Sequence, residues 1–562
     1  MKAIKSGFLI FLMMSLCVVN TRPVRAQSSG TIYIRSDGSV EGTDKIERVG
    51  NVYTFVDNIS DSIIVERDNI VVDGAGYTLQ GTENFLSKGI DISNRSNVTT
   101  KDMEIKAFHY GIYLDSSSRN SISGNNITNN LFGIYLWESP NNTLRNNDAS
   151  NNTYHFGVYG SLLSQFIQDI DDSNTVDDKP VYYWVSRRNI AVPLDAGYVA
   201  LVNCTGITVK NLNLTNNGQG VLLAFTTNST ITKNNITNNK DGIYLYYCSN
   251  NTISENNITA NDSYGVWLDA QAHYNTISGN NVTANSSGID LSNSSNYNVI
   301  SGNDVIANKH DSIWLRYSSN NSIYGNNITN NEMGVWLCYS LNNSIFGNDL
   351  VANNWYGIWL DESSNYNSVS ENHIENNLLG IVFWYSSSNN VFENNITTNN
   401  REGIWVDWSS NNTINGNNIT NNLVGVELEY SPNNTIYGNN ITNNSLGIQI
   451  LDSHSNTFYH NNLDNINQVN VTTHFPSYVN FWNDNYPSGG NYWSDYEERY
   501  PNATEIDGTG IWDTPYVIDE NNQDNYPIVP EFPTWTSMLC MLIVLTVVLG
   551  IYKRRLLKTP IR

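Results

Sequence analysis

The sequence predicts an all-β right-handed parallel β-helix. Three observations carry that prediction: a repeat, the absence of helix formers within it, and an alternation of aliphatic residues. From Gly220 to Leu446 one pattern is written ten times, with 22 to 24 residues per copy. Each copy reads Gly, aliphatic, variable, aliphatic, then a polar run and Asn-rich turns, as in the copies starting at Gly334, Gly357 and Gly403. A repeat of this period means a solenoid. A leucine-rich repeat is excluded, because its L-x-x-L-x-L spine is missing and the copies are crowded with Asn, Ser, Thr and Gly, which favour turns over helix. In the copy from Gly403, three short pieces remain: Ile404-Trp405-Val406, Thr413-Ile414 and Asn418-Ile419-Thr420. With a side-chain period of two, Ile404 and Val406 point inward and Trp405 outward. Ile414 and Ile419 complete the interior of a three-stranded coil. Gly at each coil start suggests a turn with positive φ, and Asn at matching positions suggests a hydrogen-bonded ladder along the axis.

In chain order, residues 1–26 read as a secretion signal: Lys2 and Lys5, an apolar run from Gly7 to Val19, and Val24-Arg25-Ala26 at the cleavage point. Residues 27–110 form the N-terminal cap and first coils, since an exposed first coil would be a sticky edge. Residues 111–156 are regular coils. Residues 157–196 break the period and are expected to leave the stack as a loop or flap, which either marks the binding face, as insertions in repeat proteins often do, or is a decorative loop. Coils resume over 197–479. Residues 480–529, aromatic, Gly-rich and acidic, make a C-terminal cap. Residues 530–562 hold an apolar run, Trp535 to Tyr552, followed by Lys553-Arg554-Arg555. Such a run just spans a bilayer, with the basic tail inside and the β-helix outside.

The chain has 562 residues, 15% of them charged, and a net charge of −24. That acidity argues against a nucleic-acid partner. Of five cysteines, Cys17 and Cys540 lie in the terminal apolar runs. Cys204, Cys248 and Cys338 fall on separate coils about 4.8 Å apart per rung, so free thiols are expected.

The outward middle residue of the first strand reads Tyr244, Trp267, Asp290, Trp314, Trp336, Trp359, Val382, Trp405, Glu427 and Gln449. Exposed Trp repeated along a sheet marks an interaction surface. The next outward column contributes Asp269, Arg316, Asp361, Asp407 and Glu429. Aromatic rings flanked by carboxylates suit a polysaccharide, so Tyr244, Trp267, Trp314, Trp336, Trp359 and Trp405 are the candidate ligand-binding residues. The competing reading is a ladder that only stabilises the sheet by stacking. Asp361 and Asp407 are the candidate catalytic pair for a glycoside hydrolase or lyase, two rungs apart, roughly 9.6 Å in backbone spacing, near the upper end for an inverting pair. The eight histidines are scattered with no H-x-H or H-x₃-H spacing, so a soft-metal centre is not predicted. Glu505, Asp507 and Asp513 around Gly508 and Gly510 offer oxygen ligands for calcium, though not at EF-hand spacing. Asn-x-Ser/Thr occurs more than two dozen times, mostly as a product of the repeat.

The segments TIYIRSDGSV, NIVVDGAGYTLQG, the GIYL…NNITNN coils, DKPVYYW…DAGY and GGNYWSDY…DTPYVID…DNYPI together resemble the NosD-like β-helix proteins. These belong to the pectin-lyase-like superfamily and carry carbohydrate-binding and sugar-hydrolysis repeats. The resemblance covers residues 31–528. It implies the fold, a location outside the cytoplasmic membrane and a carbohydrate partner. It also implies a copper-related role, for which this chain lacks ligand clusters. Pro530-Glu531-Phe532 before the apolar run resembles an archaeal surface-sorting signal, which implies cleavage and lipid attachment. The sequence thus predicts a cell-surface polysaccharide-binding β-helix. A glycan-cleaving enzyme and a purely structural rod are the alternatives.

Overall fold

The computed structural model describes residues 30–475 and 477–529. The secretion signal and the C-terminal anchor or sorting segment lie outside the described residues. Among the described residues, no helix is long and apolar enough to cross a membrane.

The chain is a right-handed parallel β-helix with three short strands per coil. In the coil of Glu402–Asp407, Thr413–Asn415 and Asn418–Thr420, the inward residues Ile404, Val406, Ile414 and Ile419 are fully buried. Each stacks in register on its counterparts: Ile404 pairs with Ile381 below and Val426 above. Beside these aliphatic columns run columns of buried Asn. Asn417 Nδ2 donates to Asn439 Oδ1 at 2.9 Å and to the Val391 carbonyl at 3.0 Å, while the Asn417 backbone N–H also donates to Asn439 Oδ1. Each buried amide therefore satisfies the turn it sits in and the next rung.

The coil-start glycines have a different reason from the expected one. Gly403 does not adopt positive φ. A Cβ there would lie 2.7 Å from Ile419 Cγ2 and 2.8 Å from the Gly425 carbonyl oxygen. Glycine is needed for close packing of first strand on third strand, and the left-handed corners are occupied mostly by Asn and by aromatic residues.

The stretch 157–196 does not leave the stack as a flap. Asp169–Ile170 and Thr175–Val176 pair in parallel with Thr143–Arg145 and Asp148–Ser150, completing another coil. The chain then reverses at Asp177-Asp178, both at positive φ. Lys179–Val185 runs back antiparallel to Thr175–Val176 and pairs in parallel with Tyr198–Val202. That strand opens a new run of coils. The result is two solenoid segments with two hydrophobic cores. Val199 and Leu201 belong to the second core, while Tyr198, Ala200 and Val202, on the opposite face of the same strand, pack against the first. The last first-strand of the first segment, Tyr154–Tyr159, abuts the second segment through backbone. His155 N–H donates to the Asn216 carbonyl at 2.6 Å and Gly218 N–H to the Phe156 carbonyl at 2.8 Å. A Cβ on Gly218 would come within 2.8 Å of Gly157 Cα.

Each end is covered. Val40–Glu41 pairs antiparallel with Ile32–Ile34, and Ile46–Val49 pairs antiparallel with Val52–Phe55, which itself continues in parallel onto Val71–Asp73. At the other end Trp482 and Trp493 are buried, Trp482 stacks on Phe458 at 4.4 Å, and Tyr516 stacks on Trp493 at 3.9 Å.

Candidate functional site: an aromatic cleft and the acidic face that continues it

The sideways step between the two segments sets outward residues of one against outward residues of the other. Tyr135, Trp137 and Tyr159 of the first segment face Tyr244, Tyr246, Tyr264 and Trp267 of the second. Between them is an open cleft of about 390 Å³, with Lys240, Asp241 and Asp269 among its polar lining. Tyr244 stacks on Trp267 at 4.3 Å. Tyr246 donates its hydroxyl to the Ser161 carbonyl at 2.9 Å, and Tyr159 donates to Asp241 Oδ2 at 3.3 Å. Burial pushes the Asp241 carboxyl up to about 6, against the pull of Lys240 and the Tyr159 hydroxyl. Rigid aromatic walls with a few convergent polar groups are the usual make-up of a small-molecule or oligomer site. Its traces in the sequence are the broken period at 157–196 and two members of the outward aromatic column, Tyr244 and Trp267.

Tyr244, expected on the surface, is only 3% exposed, covered by Trp267 and by Tyr159 across the junction. The five tryptophans are half-buried. Trp314, Trp336 and Trp359 form a continuous stack with centroids 4.6 and 4.8 Å apart and planes within 6°. Their faces are therefore turned to one another and their indole nitrogens are buried, and this stretch stabilises the sheet as stacking ladders do. Arg316 lies over Trp314, 4.0 Å from its centroid. Only Trp267 joins the cleft, and Trp405 stands apart between Val382 and Glu427 in the register.

The face beyond the cleft is rich in uncompensated carboxylates. Asp290, between Trp267 and Trp314 in register, is 0% exposed, and neither of its oxygens has a hydrogen-bond partner. Arg316 approaches to 3.5 Å. Burial nonetheless pushes the Asp290 carboxyl up to about 7. Burial likewise raises Asp361 to about 6, with Glu362 adding repulsion, Asp407 to about 7, with Glu429 adding repulsion, and Glu427 to about 7. The two candidate catalytic carboxylates lie on different rungs, with Trp384 on the rung between them and paired in register with Asp407. The structure does not join them to the cleft.

The candidate calcium residues are engaged locally. Asp513 accepts from the Thr504 N–H and hydroxyl, and Glu505 accepts from the Gly510 N–H at 2.7 Å. Among the described residues, no three His, Cys, Asp or Glu side chains converge as a metal-binding group. Histidines that have an acidic partner are spread along the axis: His155 with Asp177, His310 with Glu332, His373 with Glu375 and His474 with Asp452. Cys204, Cys248 and Cys338 are free thiols. Cys204 and Cys248 belong to the inner hydroxyl column, where Thr226 stands between them.

A family model described as periplasmic copper-binding protein (NosD) matches residues 26–179, 189–309, 271–355 and 351–498. The donor set does not fit a histidine- or thiolate-held copper: such a site needs several of those side chains together, and the described residues gather no group of three His, Cys, Asp or Glu. No curated protein matches the chain in sequence. Among solved structures, a DFA-IIIase from Arthrobacter chlorophenolicus A6 in complex with GF2 aligns at 11% identity and a TM-score of 0.34, over 48% of this chain and 82% of its own. The periplasmic alginate epimerase AlgG aligns at 14% identity and a TM-score of 0.30, over 79% of this chain and 84% of its own.

Proposed function

This chain belongs to the NosD family, and from that premise we propose that it is a polysaccharide-binding β-helix acting outside the cytoplasmic membrane. The observation that carries the reading is the junction cleft. Seven aromatic side chains (Tyr135, Trp137, Tyr159, Tyr244, Tyr246, Tyr264 and Trp267) bound a space of oligosaccharide size, and Asp241, Asp269 and Lys240 supply acceptors and donors for hydroxyls. Apolar ring faces suit the C–H faces of a sugar, and carboxylates suit its hydroxyl rim. The face from Asp290 to Glu429 extends the same chemistry along the axis. In this reading the apolar C-terminal run tethers the β-helix to the cell surface. The test is direct: the purified chain is titrated with a panel of neutral, uronic and amino-sugar polysaccharides. Saturable binding to at least one supports the reading, and its absence across the panel sinks it.

A second reading is favoured by one observation, the raised carboxyls of Asp361 and Asp407. A carboxyl held protonated near neutral pH can act as a general acid. If these residues cleave a glycan, new reducing ends or unsaturated uronic products appear with the bound polysaccharide and vanish in Asp361→Asn.

A further inference from the structure

The corner between the first and second strands carries bulky aromatic residues where the backbone disfavours them. Phe225, Tyr247, Tyr317, Tyr339, Trp408 and Tyr430 have φ between 46° and 56°. That left-handed region is uncommon for any side chain but Gly, Asn or Asp, and costs more for bulky ones. Phe225 is half-buried and the other five are 40% to 56% exposed, so core packing does not explain them. Three residues after each of these six rings stands the Asn of an Asn-x-Ser/Thr triplet: Asn228, Asn250, Asn320, Asn342, Asn411 and Asn433; Tyr385, left-handed at the same corner, has Ser388 there instead, and the corner triplet at Asn141 follows Glu138. Each of these Asn residues is exposed and also left-handed, and its Ser or Thr opens the next strand, as in Ser344–Phe346 and Thr413–Asn415.

The chain holds a second column of the same triplet, in the third strand, and the two differ chemically. In the strand column the amide nitrogens are engaged: Asn257 donates to Asn235 at 2.7 Å, Asn281 to Asn257 at 2.6 Å, Asn418 to Asn395 at 2.8 Å and Asn440 to Asn418 at 2.7 Å. At the corners the amides stand in solvent, or reach only a hydroxyl on the same turn, as Asn228 and Asn411 do. Within the pairs Phe225–Tyr247, Tyr317–Tyr339 and Trp408–Tyr430 the rings stack at 5.1, 4.8 and 4.7 Å.

We propose that the six aromatic-x-x-Asn-x-Ser/Thr corners are N-glycosylation sites, and that the ring three residues earlier holds the first sugar. The donor is a polyprenyl-diphosphate-linked oligosaccharide. Asn Nδ2 attacks the anomeric carbon and loses a proton, the C–O bond to phosphate breaks, and the polyprenyl diphosphate departs with the electron pair. The modification would border the acidic face with covalent glycan. The strand-column triplets stay unmodified, because their amide nitrogens are already held against the neighbouring rung within a folded strand.

The inference rests on the reading that these coils lie outside the cytoplasmic membrane, so its test is independent of location. The purified, folded full chain is incubated with a single-subunit oligosaccharyltransferase and a polyprenyl-diphosphate-linked oligosaccharide, and glycopeptides are quantified by mass spectrometry. Modification at the corner Asn residues, with none at Asn257, Asn281, Asn418 or Asn440, is the expected result. Tyr339→Asn, which suits a left-handed corner and creates no new triplet, should lower occupancy at Asn342 about fivefold while leaving Asn433 unchanged. Equal modification of both columns, no modification of any corner, or an unchanged Asn342 in Tyr339→Asn would each overturn the proposal. Polysaccharide titration of the unglycosylated chain reports on the cleft separately.

Discussion

The two solenoid segments are built on one coil, yet their first-strand faces treat charge in opposite ways. In the first segment the acids nearest the N-terminal cap have cation partners: Arg35 bridges Glu41 and Glu66, and Lys88 lies 2.7 Å from Asp91 and over the Tyr113 ring at 3.8 Å. In the second, Asp290 has one cation at 3.5 Å, and Asp361, Asp407 and Glu427 sit among further carboxylates. Holding buried acids without partners costs stability. The second segment's face keeps such acids at a cost that cations beside them would reduce, as they do at Arg35 and Lys88 in the first segment. Perturbed carboxyls of this kind are expected where a ligand is bound or transformed.

The largest expected effects test whether the segments share one core logic. Ile404→Asp and Ile112→Asp each place a charge where the side chain is fully buried. Each should cost more than ~4 kcal/mol, as unpaired buried charge does, and collapse local protection from hydrogen exchange in its own segment. If Ile112→Asp were tolerated, the first segment would not be held by the same interior.

Much of that interior is legible in the sequence, and for a physical reason. The period-two alternation at Ile404 and Val406 and the recurring Asn are local patterns that every rung repeats. The junction is not legible, because the reversal at Asp177-Asp178 lacks the Asn-Gly or Asp-Gly pair that marks a two-residue hairpin turn. The cleft arises from residues far apart in sequence, such as Trp137 and Trp267. The alternation places the Trp column on the outer side of the sheet. It does not show that the rings turn their faces to each other, because a one-dimensional column carries no ring orientation. The raised carboxyls escape for a similar reason: the sequence shows their alignment but not their burial.

The next effect separates the faces by pH. The folded Asp290 carboxyl lies at about 7, above its ordinary value of 3.8. The native state therefore keeps a proton that the unfolded chain has released. Stability falls as pH rises from 3.8 to 7, and the full cost stands above 7. Asp290→Asn should flatten that slope and raise thermal stability at pH 8 by an amount worth a few kcal/mol, with little change at pH 4. A variant less stable at pH 8 would mean that the ionised carboxylate is paired after all.

Binding should divide the segments more gently. Trp267→Ala removes a cleft wall and should weaken polysaccharide affinity about tenfold, the usual scale for losing an aromatic anchor. Tyr33→Ala removes the ring under Arg35 on the face of the first segment, four rungs in register from Tyr135 of the cleft, and should leave affinity unchanged. Equal losses from both would move the site away from the cleft.

The smallest effect concerns the ion pair itself. Lys88 and Asp91 are partly exposed, and such pairs contribute at most about 1 kcal/mol. Lys88→Gln should therefore lower stability by less than that, and the loss should shrink in high salt, which screens exposed charges. The first segment then keeps its fold with its acids unpaired, as the second already does. Neutralising an acid asks little of this coil, as Lys88 beside Asp91 shows, so a lysine introduced one rung from Asp407 or Glu427 should be accepted by the fold.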